Sequence, residues 1–209
     1  MKYIWGSIFI ITLAWSVINP KDQFTWFLEV SPALIGFVLI VLTYKKFPLT
    51  PLLYTLILIH IIILMVGGHY TYAEVPLFDW IKDVLDQSRN NYDKVGHLAQ
   101  GFIPAILARE LLLHKHIVQG SKIWLNYIIL SIILAFSAFY ELIEWWVALG
   151  TGEDAEAFLG TQGYVWDTQS DMMYALIGGI VSLILLSRLH DKQLAELDYY
   201  RSNQIPTGS

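Results

Sequence analysis

Cysteine is absent from all 209 residues, which excludes disulfides, thiolate metal sites and cysteine nucleophiles. Charge is scarce: Asp, Glu, Lys and Arg together make up 15% of the chain, against about a quarter in an ordinary soluble domain. The basic residues form no stripe and the net charge is −5, so no nucleic-acid partner is expected. There is no internal repeat and no polar linker, so residues 1–209 are expected to form a single transmembrane domain. The zinc-helix pattern H-E-x-x-H and the serine pattern G-x-S-G are both missing.

What the chain has in abundance is apolar length. Hydrophobic residues make up 56% and the mean hydropathy is +0.51. Six apolar stretches stand out, at 3–18, 26–43, 51–68, 95–113, 123–149 and 172–189. Each is close to or above the roughly 17 residues that cross a hydrocarbon core as a helix. The first has small residues, Ala14 and Ser16, where a signal peptide would be cut, but its basic start is Lys2 alone. We therefore expect a retained helix.

The basic residues also set an orientation. One set of connections holds Lys2, then Lys45 and Lys46, then Arg109, Lys115 and Lys122, then Arg188, Lys192 and Arg201. The alternate set holds Lys21, then Lys82, Arg89 and Lys94, then no basic residue between Trp145 and Asp171. By the positive-inside rule both termini lie in the cytoplasm. Trp5, Trp26, Tyr44, Trp124, Trp145 and Trp146 sit near segment ends, as interfacial aromatic belts do. The expected fold is all-α, a polytopic bundle of six transmembrane helices with N-in/C-in topology. A short outer interfacial helix is expected as well, capped by Asp79 and carrying Trp80, Ile81, Val84 and Leu85 on its apolar face. The second outer loop, over 150–170, is acidic and bears Gly150, Gly152, Gly160 and Gly163. In the last segment Ala175 and Gly179, then Gly178 and Ser182, recur at four-residue spacing, which permits close helix packing.

On that topology the ionisable residues fall into one outer layer. His69 ends the third segment; Asp93 and His97, i and i+4, open the fourth, with Gln100 nearby; Glu141 and Glu144 lie near the outer end of the fifth; Asp167 and Asp171 open the sixth, with Tyr174 a turn deeper. Ionisable groups at membrane depth face the bundle interior and are paired or liganded. Several carboxylates in one layer need protons or a cation between them. Histidine nitrogen with carboxylate oxygen at i,i+3 and i,i+4 suits zinc, iron or manganese in a helix bundle. We read His69, Asp93, His97, Glu144 and Asp171 as ligands of a divalent metal, zinc or manganese, and Glu141 or Asp167 as the general base for an attacking water. The substrate would be a lipid or lipid-linked molecule.

The plainer readings are that Asp93 and Asp167 merely cap helices and that His69 satisfies a backbone carbonyl. Glu29 would snorkel or cap, while Arg109, Glu110, His114 and His116 would be ordinary interfacial charge. A transporter or ion-binding protein, aided by a homodimer, and a structural or regulatory membrane module are the competing functions.

Three stretches, NYDKVGHLAQGFIPAILARE (91–110), FYELIEWW (139–146) and GTQGYVWDTQSDM (160–172), resemble the YjdF family of bacterial inner-membrane proteins. The resemblance extends over nearly the whole chain and implies a multi-pass location in the bacterial inner membrane, without naming a reaction. The D-K-x-x-H pattern followed by acidic motifs is also loosely similar to VanZ-type proteins, which are linked to glycopeptide resistance. Ceramidase-type membrane hydrolases use three zinc-binding histidines, whereas only His69 and His97 fall in this layer.

Overall fold

The apolar periodicity resolves into helices throughout. The computed structural model describes residues 2–151 and 161–204, and among them the ordered elements are seven α-helices. They are α1 (Lys2–Val17), α2 (Gln23–Thr43), α3 (Pro51–His69), α4 (Pro76–Val84), α5 (Tyr92–His114), α6 (Lys122–Thr151) and α7 (Asp167–Gln204). Part of the acidic loop, including Gly152 and Gly160, lies outside the described residues.

Local chemistry sets the helix starts. Asp22 caps α2 by accepting from Thr25 N, and Thr50 caps α3 with Pro51 in the first turn. The short helix starts earlier than expected. Pro76 begins it, Val75 is its N-cap without a side-chain bond, and Asp79 lies inside its first turn. Asp79 instead accepts from Asn90 Nδ2 at 3.0 Å, which ties α4 to the start of α5. Leu77, Trp80, Val84 and Leu85 remain exposed along α4, the pattern of a helix lying in a lipid interface.

Four helices, α2, α3, α6 and the Asp167–Leu197 part of α7, are long and apolar enough to cross a membrane. α1, at 16 residues, is shorter. α5 has the length, at 23 residues, but carries more polar groups, and fifteen of its residues are buried. Its low apolarity has a packing cause. α5 lies against α7, α3 and α6, so much of its surface meets protein, whereas the four more apolar helices leave most of theirs exposed.

The α5–α7 contact positions everything that follows. A Cβ placed on Gly101 would fall 1.7 Å from the Ala175 carbonyl oxygen, and one on Gly178 would fall 2.1 Å from the Leu98 carbonyl oxygen. Glycine at both positions lets the two backbones touch. Gly101 is one helical turn beyond His97, and Ala175 one turn beyond Asp171, so the crossing fixes those two side chains against each other. Ala105, Leu112, Ile129, Ile133, Ala175 and Leu183 fill the space between α5, α6 and α7. A second core of Phe9, Val30, Ala33, Ile61 and Met65 joins α1, α2 and α3, with Phe9 stacked on Phe37 at 4.1 Å.

Candidate functional site

Two buried ionic layers lie at opposite ends of the α5–α7 pair. The first is built around His97. Asp93 and His97 share one face of α5, and the His97 Nε2 lies 3.2 Å from Asp93 Oδ1 and 3.8 Å from Asp171 Oδ2. Ligand atoms of Asp93, His97 and Asp171 all lie within 4.8 Å of one another. Metal–ligand bonds of about 2.1 Å in a tetrahedral shell put neighbouring ligand atoms about 3.4 Å apart, close to the two separations from His97 Nε2. On its other side, His97 Nδ1 lies 3.0 Å from Gln100 Oε1. The amide oxygen only accepts, so Nδ1 carries a hydrogen, and Nε2 faces two carboxylate oxygens. That arrangement is repulsive until a proton or a cation stands between them.

The cations of this layer sit beside the trio. Lys94 Nζ lies 2.6 Å from both Asp167 Oδ1 and Asp171 Oδ1, and 3.5 Å from Asp93 Oδ2. Arg89 donates to Asp167 at 2.5 Å and to Asp93 at 3.5 Å. Six buried carboxylates (Glu29, Asp93, Glu141, Glu144, Asp167, Asp171) therefore share the layer with two permanent cations, Arg89 and Lys94. The carboxylates farther from Arg89 and Lys94 are served least. Glu141 Oε1 is buried without a hydrogen-bond partner and stands 3.9 Å from His97 Nδ1. Glu29 accepts from the Tyr140 hydroxyl at 3.3 Å. In the loop after α3, burial holds the Tyr72 phenol well above its ordinary range, and Glu29 and Tyr140 add to the effect.

The structure thus brings together Asp93, His97 and Asp171, with Glu141, Glu144 and Asp167 in the same layer. It does not bring His69 there. The His69 Nδ1 bonds the Ser16 carbonyl at 3.0 Å and its ring packs between Trp15 and Tyr70, each 4.5 Å away. Asp167, expected as a possible base, is occupied by both Arg89 and Lys94. Neither Asp93 nor Asp167 is reduced to a helix cap: Asn91 is the N-cap of α5, and both aspartates take part in the ion pairs above. Glu29 is buried in the layer and does not snorkel. The sequence reading missed Arg89, Lys94 and Tyr140. For Lys94 the signal was its place inside D-K-x-x-H, where a lysine flanked by ligand-type residues is drawn inward by them.

The second layer corrects another expectation. Arg109 and Glu110 are buried, as is His190. Arg109 donates to His190 Nδ1 at 2.9 Å and to Asp191 at 2.5 Å, while His190 Nε2 lies 2.9 Å from Glu110 Oε2. Arginine only donates, so Nδ1 accepts and Nε2–H donates to Glu110. Glu110 also accepts from Thr50 N at 2.9 Å and Thr50 Oγ1 at 2.7 Å, fastening the start of α3.

Comparison with known proteins agrees with the apolar architecture. The chain is 50% identical to the inner membrane protein YjdF of Escherichia coli (strain K12) over 184 residues, covering 88% of each chain. No solved structure matches it. The family described as "Predicted membrane protein (DUF2238)" matches residues 1–192, and the chain belongs to it, as a multi-pass protein of the inner membrane.

Proposed function

We propose that the His97 layer is a divalent-metal centre on the outer face of a six-span, N-in/C-in membrane bundle, and that it hydrolyses a lipid or lipid-linked substrate. The observation that carries the metal reading is the His97 ring, hydrogen-bonded by Gln100 on one nitrogen and facing Asp93 and Asp171 with the other. A hydrogen-bond acceptor on the far ring nitrogen, holding the ring in one orientation, is the usual companion of a metal-ligating histidine. Asp93, His97 and Asp171 are the ligands, zinc or manganese the metal, and Glu141 the base, since its Oε1 is buried in the same layer without a hydrogen-bond partner whereas Asp167 is held by two cations. A metal there would acidify a bound water and polarise an ester or phosphoryl oxygen. The six-span topology counts α1 and α5 with the four more apolar helices, α5 being sheltered by its neighbours.

A second reading rests on Lys94, whose ammonium already reaches Asp167 and Asp171. In that reading the layer is an ion-pair clamp and binds nothing. Metal analysis of protein purified without chelator separates the two. Stoichiometric zinc or manganese, lost in His97→Ala, is expected. A metal-free, fully folded parent whose melting temperature ignores chelator would leave the clamp. Reporter fusions after Lys46, after Lys122 and at the C-terminus are expected to report cytoplasm, and one near Asp86 the outer side; an outer C-terminus would overturn the topology.

A further inference from the structure

Beside the His97 trio lies an open depression of about 380 Å³, lined by Ser88, Arg89, Lys94, Tyr164, Ser170 and Tyr174 among others. Its two cations are the same side chains that touch the aspartates of the layer. Arg89 and Lys94 also both stand over the Tyr164 ring, 5.8 and 5.7 Å from its centroid. The depression therefore shares a wall with the trio, and that wall is basic.

Charge decides when such a wall can hold an anion. Asp93, Asp167 and Asp171 all contact Arg89 or Lys94, so at the wall itself three carboxylates face two cations, and Glu29, Glu141 and Glu144 add to the negative excess behind it. An anion arriving in the depression is repelled. A divalent cation held by Asp93, His97 and Asp171 offsets two of those negative charges and turns the balance at the wall itself to one positive charge. Ser88, Ser170, Tyr164 and Tyr174 line the depression and carry hydroxyls, which are neutral donors. The apolar face of α4, with Leu77, Trp80, Val84 and Leu85 exposed, ends just before Gln87 and Ser88 enter the lining. A ligand carried on a lipid would reach the depression from that side.

We propose that this depression binds a phosphate-ester headgroup, and that it does so more tightly when the trio holds its metal. The inference rests on the metal reading above and deepens it by naming the substrate class. Binding of the two ligands is reciprocal: phosphate strengthens metal binding by the factor with which metal strengthens phosphate binding.

The test is calorimetric titration of Mn²⁺ into the full-length protein, with protein-free blanks to remove Mn²⁺–phosphate association. Three backgrounds are compared: detergent alone, detergent with inorganic phosphate, and nanodiscs containing phosphatidic acid against phosphatidylcholine nanodiscs. At least about a fivefold gain in Mn²⁺ affinity is expected from a phosphate-bearing background, within the usual range of coupling between sites. A gain from phosphatidic acid alone identifies the ligand as lipid-borne. A gain from inorganic phosphate in detergent identifies it as free phosphate. The Lys94→Gln and Arg89→Gln proteins should keep Mn²⁺ binding and lose the gain; because the readout is a ratio within each protein, a change in their absolute affinity does not affect it. Should neither variant fold, the ratio in the parent decides alone. Mn²⁺ binding with equal affinity in every background overturns the coupling and leaves the metal centre standing. No Mn²⁺ binding in any background overturns the metal centre itself.

Discussion

The two buried layers at the ends of the α5–α7 pair use the same kinds of residue and reach opposite charge balances. At the His190 end, Asp191, Arg109, His190 and Glu110 form a chain in which each carboxylate faces a donor, and Thr50 closes it on α3. Its carboxylates need no further partner. At the His97 end, six carboxylates face Arg89, Lys94 and one histidine, and Glu141 Oε1 is left without a donor. Arg109, Glu110 and His190 are buried as deeply as the His97 layer, with Asp191 half exposed, so depth in the bundle does not distinguish a ligand-binding layer from a clamp. The sign and completeness of the partner set does. A layer that closes on itself fixes the positions of helices; a layer with excess carboxylate leaves room for something that arrives from outside.

The largest expected effect breaks the balanced layer. Glu110→Ala leaves His190 Nε2–H and both Thr50 donors buried without an acceptor. Removing one partner from a buried ionic network costs about 3–5 kcal/mol. A large fall in melting temperature in detergent is expected, with bound metal retained in whatever fraction stays folded. A Glu110→Ala protein as stable as the parent would show that this layer clamps nothing.

Next in size is the crossing that links the two layers. Gly101→Ala places a methyl group against the Ala175 carbonyl, 1.7 Å from its oxygen before any adjustment. The helices must part, and overpacking of this kind costs about 1–3 kcal/mol. The displacement falls one turn from His97 and Asp171, so metal affinity is expected to drop along with the melting temperature. Gly36→Ala, where a Cβ meets nothing within 4 Å, is the matched control and should leave both unchanged.

Periodicity made the helices legible in the sequence, and it did so because hydrophobic length is a local property. The six apolar stretches reappear as α1, α2, α3, α5, α6 and α7, and the amphipathic segment as α4. α7 runs well beyond the expected end at residue 189, since polar residues after the apolar stretch continue the helix without a breaker. The meeting of Asp93, His97, Asp171, Glu141 and Glu144 was also legible, because topology alone puts them at one depth. Partners across helices were not. His69 shares that depth yet turns to Trp15 and Ser16, and depth carries no azimuth. Arg109 and Glu110 read as interfacial charge because each looks ordinary on its own helix. What marks them is His190 and Asp191 at the matching level of α7, a pairing visible only once the Gly101–Ala175 crossing sets the register between α5 and α7.

The smallest expected effect on stability is the one that most sharpens the contrast between the layers. Glu141→Gln is nearly isosteric, so it opens no cavity, and it removes one negative charge from a layer where carboxylates are in excess. Glu141 Oε1 has no hydrogen bond to lose. Relief of repulsion from its neighbours and the altered hydrogen bonding of the new amide oppose each other, each on the scale of about 1 kcal/mol. The melting temperature should therefore stay close to that of the parent, or rise. The same substitution in the balanced layer behaves differently. In Glu110→Gln an amide NH₂ must face either the Thr50 N–H or the two donors His190 Nε2–H and Thr50 Oγ1–H, so a donor meets a donor and stability falls. Hydrolytic activity, on the reading of Glu141 as base, should be lost in Glu141→Gln while bound metal remains. Thermal unfolding of the two glutamine variants side by side decides the matter: equal losses would mean that both layers are clamps, and a loss confined to Glu110→Gln would leave the His97 layer as the one built to receive a ligand.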